Sequence, residues 1–161
     1  MEWEPPTPDG QFFDGPSLAR IKALFSRIFP ARANEGVPGA IDAGAFDYLD
    51  HLLVFEASVY REIPKWRALY RHALPILNEA ALHHYDTNIE NLTADQLDAF
   101  LTALSSGSLA GLPDDFGQIH FFSTLRQHCL QGCFSDSRWG GNADDIMWRW
   151  LGYQYDREDF S

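Results

Sequence analysis

The chain has 161 residues and a hydrophobic content of 45%, which suits one domain with a substantial buried core. Its formal net charge of −11 at pH 7 argues against a nucleic-acid backbone or an anionic membrane surface as a partner. No run of about 18 apolar residues occurs, so we expect no segment that spans a membrane.

Residues 1–15, MEWEPPTPDGQFFDG, are rich in proline, glycine and aspartate and predict an extended N-terminal arm. The arm has neither the basic start nor the apolar stretch of a secretory signal, so the sequence as it stands predicts a cytoplasmic protein. A periplasmic location stays open for a chain whose leader has been removed or that is exported with a partner. Trp3, Phe12 and Phe13 are unusual in a solvated arm. We expect the arm either to pack on the body or to lie along a partner protein.

Helical spacing of apolar residues begins directly after the arm. A first helix is predicted to start at Pro16 or Ser17 and to stop at Pro30, because proline suits the first turn of a helix and interrupts its interior. Residues 43–57 predict a second helix.

A third helix is predicted from Pro64 to about Tyr85, and Pro75 inside it is expected to kink or split it. Thr93 and Gln96 form a capping box that opens a fourth helix. A fifth follows residues 112–115, and a short last helix spans residues 144–150.

These elements predict an all-α fold in which residues 16–161 form a single compact domain of about six helices, preceded by the extended arm of residues 1–15. Aromatic residues make up 14% of the chain, with five Trp and twelve Phe. These residues suit either an aromatic-rich core of this chain alone or the apolar centre of an interface with another protein.

The six histidines do not show the spacing of a metal site. His83 and His84 are adjacent and point to different faces of a helix, and His120 and His128 lie about two helical turns apart. Two cysteines, Cys129 and Cys133, are too few for a disulfide framework or an iron–sulfur cluster, and we expect both in the core.

Two pairs of carboxylates, Asp114 with Asp115 and Asp144 with Asp145, stand where helices are predicted to begin. Capping and compensation of the helix dipole explain them without catalysis. We therefore predict no catalytic, cofactor-binding or metal-binding residue in this chain. A metal-dependent enzyme that uses His120, His128 and the acidic pairs stays as an alternative.

The stretch GCFSDSRWGGN, residues 132–142, gathers unusual residue types at the end of a predicted helix. Gly140 and Gly141 permit a positive φ or a close backbone approach, and Asn142 favours turn and capping bonds. Arg138 can fork to a carboxylate or to helix-end carbonyls, and Trp139 supplies a large apolar plate. The stretch suits a structural bend between two helices, a protein-binding corner or a small-ligand site.

The ordered string from Phe121 to Tyr153 contains FF..LR, then GCFSDSRWGGN, then WRWLGY. It resembles the C-terminal signature of the small-subunit family of gluconate 2-dehydrogenase, in which FF..LR, GxFxDPxYGGN and GW..LGYP follow one another. The resemblance is dense over residues 116–155. The chain departs from the pattern at Ser137, Trp139 and Gln154, where the family often has Pro, Tyr and Pro.

The resemblance implies a non-catalytic small subunit that supports folding, stability or maturation of a large flavoprotein. Such a partner is of the glucose–methanol–choline oxidoreductase type, binds FAD and oxidises a sugar, glycoside or sugar acid. A cytochrome c subunit often accepts the electrons, and the wider complex can hold an iron–sulfur cluster or haem. No cofactor is expected in this chain itself. The alternative is a free-standing helical adaptor or chaperone that binds the flavoprotein transiently.

We predict that the partner contacts the N-terminal arm and the C-terminal corner. Trp148 and Trp150 lie about 200° apart around a helix, so one can serve the core while the other meets the partner. The residues predicted to bind the partner are Trp3, Phe12, Phe13, Phe134, Asp136, Arg138, Trp139, Gly140, Gly141, Asn142, Trp148, Trp150 and Tyr153.

Overall fold

The computed structural model describes residues 12–153, so Trp3 lies outside the described part of the chain. Over residues 12–153 the fold is all-α, as predicted, and the only β-pairing there is a single bridge between Arg32 and Val37. The α-helices of this part are α1 (Gly15–Ile28), α2 (Ala40–Ala43), α3 (Ala45–Leu52), α4 (Ile63–Tyr85), α5 (Ala94–Ser105), α6 (Gln118–Phe134) and α7 (Ile146–Trp150).

Helix α1 begins and ends close to its predicted limits because its signals are local. The carboxylate of Asp14 accepts a hydrogen bond from the backbone N–H of Ser17 at 2.8 Å and caps the first turn. The helix ends at Ile28, two residues before Pro30.

The prediction of one helix over residues 43–57 is wrong at both ends. Two short helices, α2 and α3, take its place, and Gly44 separates them. Gly44 has φ 64°, a left-handed conformation that ends α2 and starts α3 in a new direction. Helix α3 ends at Leu52. The apolar residues Leu53 and Phe55 are buried, but they lie in the turn that follows the helix.

Helix α4 is a single element of 23 residues, although Pro75 lies inside it. Pro75 was expected to kink or split this helix, but the structure does not split it. The proline lies on the exposed face, where water can reach the carbonyl of Arg71 that loses its N–H partner. Leu74 and Leu77 are buried on the opposite face and hold the helix against the core across this position.

The capping box of α5 is confirmed by both of its hydrogen bonds. Gln96 N–H donates to Thr93 Oγ1 at 3.2 Å, and Thr93 N–H donates to Gln96 Oε1 at 3.0 Å.

Neither acidic pair caps a helix as expected. Asp114 and Asp115 lie in an exposed turn that precedes Gly117, the residue from which α6 starts. Asp144 and Asp145 adopt left-handed φ values of 54° and 55° in a 3-10 turn before α7, and Asp145 makes no side-chain cap. Neither pair therefore supplies a side-chain cap, although Asp144 and Asp145 lie directly before the first turn of α7.

Helix α6 lies in the centre of the core and packs most extensively against α3. Cys129 and Cys133 on α6 are fully buried free thiols, as expected for core residues. The hydrogen bond between the two thiols, together with burial, raises the pKa of Cys129 above its ordinary value. Cys129 therefore stays protonated, and both cysteines serve as small packing residues.

Candidate partner-binding corner

The glycine corner, defined as residues 132–142, begins where α6 meets α3 at backbone contact. Gly132 lies in the last turn of α6, and a Cβ added there would stand 2.8 Å from both Cα and O of Ala45, the first residue of α3. That distance is shorter than a real carbon contact. Only glycine at position 132 lets the two helices cross this closely.

The second glycine contact returns the chain onto the same turn of α6. A Cβ on Gly141 would stand only 2.1 Å from the carbonyl oxygen of Gly132. The next residue, Asn142, donates its backbone N–H to that oxygen at 2.8 Å. Gly140 has φ 102°, and a Cβ there would lie 2.5 Å from Nδ1 of His51. The Gly140–Gly141 pair is thus required by close approach, which makes it part of a structural bend.

Asn142 joins the end of α6 to the start of α7. It is fully buried with φ 44°, a left-handed conformation that asparagine tolerates better than most residues. Its Nδ2 donates to the carbonyl of Ser135 at 3.0 Å, and its Oδ1 accepts the N–H of Met147 at 2.8 Å. Asn142 therefore supplies the cap of α7 that was expected from Asp144 and Asp145.

The last carbonyls of α6 find partners within the corner. The carbonyl of Gly132 accepts from Asn142 N–H, and that of Phe134 accepts from Nε1 of Trp148 at 2.8 Å. Because the end of a helix leaves such groups without intrahelical partners, the corner completes α6 as well as turning the chain.

Arg138 forks to Asp136 and not to a helix end. Its Nη2 lies 2.8 Å from Asp136 Oδ2, and Asp136 Oδ1 also accepts the backbone N–H of Arg138 at 2.9 Å. The Arg138 side chain is 49% exposed, and an ion pair in that setting adds little to stability. The pair shapes the 3-10 turn Ser137–Trp139 and leaves charge at the surface.

Two aromatic side chains of the corner are half-buried against the body. Trp139 packs edge-on against Phe55, with ring centroids 5.8 Å apart, and Phe134 packs edge-on against Phe29 at 5.6 Å. Each ring thus has one side in the protein and part of its surface in solvent.

Helix α7 ends in a Schellman motif that orders the last aromatic residues. Gly152 has φ 74°, its N–H donates to the carbonyl of Arg149 at 3.1 Å, and Tyr153 N–H donates to the carbonyl of Trp148 at 2.8 Å. The rings of Trp148 and Tyr153 are 5.3 Å apart, which is the apolar contact that accompanies this motif.

The aromatic groove is a cavity of about 450 Å³ at this end of the molecule, with a mainly apolar lining. Trp150 is 41% exposed, Leu151 59% and Tyr153 58%, whereas Trp148 is half-buried and hydrogen-bonded. The two tryptophans of α7 therefore have the different environments that their helical spacing predicted. The groove is lined by Phe134, Trp148, Leu151, Gly152 and Tyr153.

Phe12 and Phe13 form a separate cluster against α3 and α4. Phe13 is 6% exposed and belongs to the chain's own core, where it packs edge-on against Tyr70 at 5.8 Å. Phe12 is half-buried, with the guanidinium of Arg71 4.8 Å from its ring centre. Phe12 and Phe13, the described end of the predicted arm, thus pack on the body of the protein. Phe13 could contact a partner only if it left the core.

The histidines of α6 do not share a site. His120 is exposed in the first turn, and His128 is fully buried about 12 Å further along the helix. Within residues 12–153 no group of three or more His, Cys, Asp or Glu side chains is placed to hold a metal ion.

His128 instead pairs with Tyr70 on α4, a contact that sequence reasoning missed. The Tyr70 hydroxyl and His128 Nδ1 are 2.7 Å apart, and the ring of Trp66 meets His128 edge-on at 4.6 Å. Burial lowers the pKa of His128 to about 4 and raises that of Tyr70. The sequence did offer one signal, because a tyrosine hydroxyl within the apolar stripe of α4 needs a buried hydrogen-bond partner. The stripe alone does not show that His128 is this partner.

Replacing Asn142 by Ala is expected to lower the free energy of unfolding by about 2 kcal/mol, because it leaves the buried N–H of Met147 and the part-buried carbonyl of Ser135 without their side-chain partner. Urea titration followed by circular dichroism measures this. Asn142→Asp keeps the acceptor for Met147 N–H but sets a carboxylate oxygen against the carbonyl of Ser135 in a fully buried position, so it should cost at least as much as the alanine variant. An alanine variant as stable as the parent would show that the corner does not depend on this side chain.

None of the helices in residues 12–153 has the length and hydrophobicity of a membrane-spanning segment. The family model of gluconate 2-dehydrogenase subunit 3 matches residues 17–154, which include every α-helix except the first two residues of α1. No curated protein and no solved structure gives a significant match to the chain. A match of this extent shows that the chain belongs to the gluconate 2-dehydrogenase subunit 3 family.

Proposed function

We propose that this chain is the non-catalytic small subunit of an FAD-dependent dehydrogenase that oxidises a sugar, glycoside or sugar acid. Its role is to support folding, stability or maturation of the large catalytic flavoprotein. Membership of a dehydrogenase subunit family over residues 17–154 is the observation that carries this proposal. FAD belongs to the large subunit in this scheme, and any iron–sulfur cluster, haem or cytochrome c subunit belongs to the wider complex.

The aromatic groove supports a role in protein binding. Exposed Trp150, Leu151 and Tyr153 lie within four consecutive positions, next to a cavity with a mainly apolar lining. Tryptophan and tyrosine are the residues that most often anchor the centre of an interface. We therefore propose that the large subunit places an apolar side chain in this groove.

The glycine corner adds preorganisation to this surface. Helix α7 has only five residues and would not be stable alone, but Asn142 caps its start and Trp148 Nε1 ties it to α6. A surface that is ordered before binding loses less conformational entropy when the partner arrives. The corner thus acts through the position that it gives to the aromatic side chains.

Trp150→Ala is expected to weaken copurification of the large subunit at least tenfold, because truncating a central interface tryptophan typically removes about 2 kcal/mol or more of binding free energy. The measurement is the yield of large subunit captured on a tagged small subunit after co-expression. Trp150 is the cleanest position to test because its ring is exposed, whereas Trp139 also packs on Phe55.

Ile119→Ala is the matched control. Ile119 is a large apolar residue, 61% exposed, at the opposite end of α6 from Phe134, roughly 22 Å away along the helix axis. Its loss should leave capture unchanged. If Trp150→Ala folds and captures the partner as well as the parent does, the interface lies elsewhere.

The decisive experiment is co-expression of the cognate large subunit with and without this chain, followed by a dye-reduction assay and measurement of bound FAD. We expect a lower yield of active flavoprotein when this chain is absent. Unchanged yield and activity would refute the accessory role. Size-exclusion chromatography of the pair distinguishes a stable subunit, which elutes with its partner, from a transient adaptor, which elutes alone.

Cell fractionation of the pair tests whether it is cytoplasmic or periplasmic.

A further inference from the structure

The segment that precedes α1 is attached to the body through one carboxylate. The strap, defined as residues 12–14, runs past α3, and the backbone N–H groups of Phe12 and Phe13 both donate to Asp50 Oδ1, at 3.0 and 2.8 Å. A carboxylate oxygen that accepts from two consecutive backbone N–H groups is a specific receptor for an extended main-chain segment.

Asp50 has no other evident reason to be inside the protein. It is 2% exposed, and within residues 12–153 no cationic side chain lies at salt-bridge distance from it. A buried carboxylate is strongly unfavourable unless it accepts hydrogen bonds. The two strap amides supply such bonds, so the burial of Asp50 and the position of the strap depend on each other.

Side-chain contacts hold the strap at two further points. Phe13 enters the core edge-on to Tyr70, and Phe12 lies under the guanidinium of Arg71. A cavity of about 290 Å³ remains between the strap and α4, so apolar packing around the strap is incomplete. The hydrogen bonds to Asp50 therefore act together with the burial of Phe13 in holding the strap.

The helix that holds the strap also supports the glycine corner. His51, the neighbour of Asp50 on α3, lies beside Gly140, and Ala45 at the start of α3 touches Gly132. One short helix thus receives the N-terminal strap and the C-terminal corner, which are distant in sequence.

We propose that Asp50 is a docking site for the N-terminal strap, and that α3 thereby places the strap on the same support as the glycine corner. The strap and the corner then form one two-part contact surface for the large subunit. The second half of this inference rests on the proposed function, whereas the docking of the strap on Asp50 does not.

Hydrogen exchange of the full chain tests the docking directly. In the parent protein, the amides of Phe12 and Phe13 should exchange more slowly than unprotected amides of the same sequence. Asp50→Ala should speed their exchange about tenfold or more, since it removes the acceptor of both hydrogen bonds. Asp50→Asn should retain most of the protection, because its Oδ1 can still accept both bonds.

Asp47→Ala is the matched control, since Asp47 is an exposed aspartate on the same helix. It should leave the exchange of both strap amides unchanged. Unprotected Phe12 and Phe13 amides in the parent would overturn the proposal, and this measurement needs no variant to fold. Unchanged exchange in Asp50→Ala would overturn it as well.

Copurification tests the two-part surface. Asp50→Ala should capture the large subunit at least severalfold less well than Asp47→Ala does. If the strap is released but capture is normal, the strap does not belong to the partner surface. If the parent chain itself captures no large subunit, the proposed function fails while the exchange result on the strap still stands.

Discussion

Gly141→Ala is expected to destabilise the chain by about 3 kcal/mol, which corresponds to a fall in melting temperature of roughly 10 °C for a domain of this size. The added methyl group would stand 2.1 Å from the carbonyl oxygen of Gly132. This neighbour is backbone inside a helix and cannot rotate away, so the corner must open. Opening it breaks the hydrogen bond from Asn142 N–H to Gly132 and disturbs the start of α7.

Thermal and urea unfolding of the isolated chain measure the effect, and Gly15→Ala is its control. Gly15 is the first residue of α1, and a Cβ there meets nothing within 4 Å. Its replacement should change stability by less than about 1 kcal/mol, with a gain favoured because alanine restricts the unfolded chain. Equal stability of the Gly141→Ala and Gly15→Ala proteins would contradict the close approach at the corner.

Stability is expected to fall as the pH is lowered from about 6.5 to about 4, and His128 should account for on the order of 3 kcal/mol of that loss. Burial lowers the pKa of His128 from 6.5 to about 4 in the folded chain. Between pH 6.5 and about 4, His128 is protonated in the unfolded chain but neutral in the folded chain. Lowering the pH through this range therefore favours unfolding. Above pH 6.5 both states hold a neutral imidazole, and this effect is absent.

Urea unfolding at pH 7 and pH 4.5 measures the contribution as a difference between proteins, because surface carboxylates also titrate in this range. The reference variant is Tyr70→Phe with His128→Phe, which removes the titrating ring without leaving the Tyr70 hydroxyl unpaired. It should lose less stability between the two pH values than the parent does. His120→Gln removes an exposed histidine and should behave like the parent. An equal loss in the parent and the double variant would show that His128 titrates normally.

Helix type and several helix ends could be predicted because their causes lie within one helical turn. Pro16 and Pro30 limit α1, and Thr93 with Gln96 caps α5. The break at Gly44 could not be predicted in this way, since apolar residues continue on both sides of it. Its left-handed conformation is selected by the packing of α2 and α3 on α6.

In the candidate site, too, some features could be predicted from the local sequence and others depend on tertiary packing. The glycines, Asn142 and the aromatics of residues 132–153 identified the corner in the sequence, and a bend was among its predicted roles. The cap of α7 was assigned to Asp144 and Asp145, because nearness in sequence favours them. The buried side chain of Asn142 has the required geometry, since its φ of 44° lets one amide group bond to both helices.

The sequence by itself determined the all-α class, the position of the corner and the family resemblance, because helical periodicity, turn residues and ordered motifs are local properties of a chain. Only the tertiary structure decided what Gly132, Asp50 and His128 do. Gly132 depends on Ala45, Asp50 on Phe12 and Phe13, and His128 on Tyr70. Each role depends on a partner tens of residues away in sequence, and a partner at that distance is set by how the helices pack and not by the residues alongside.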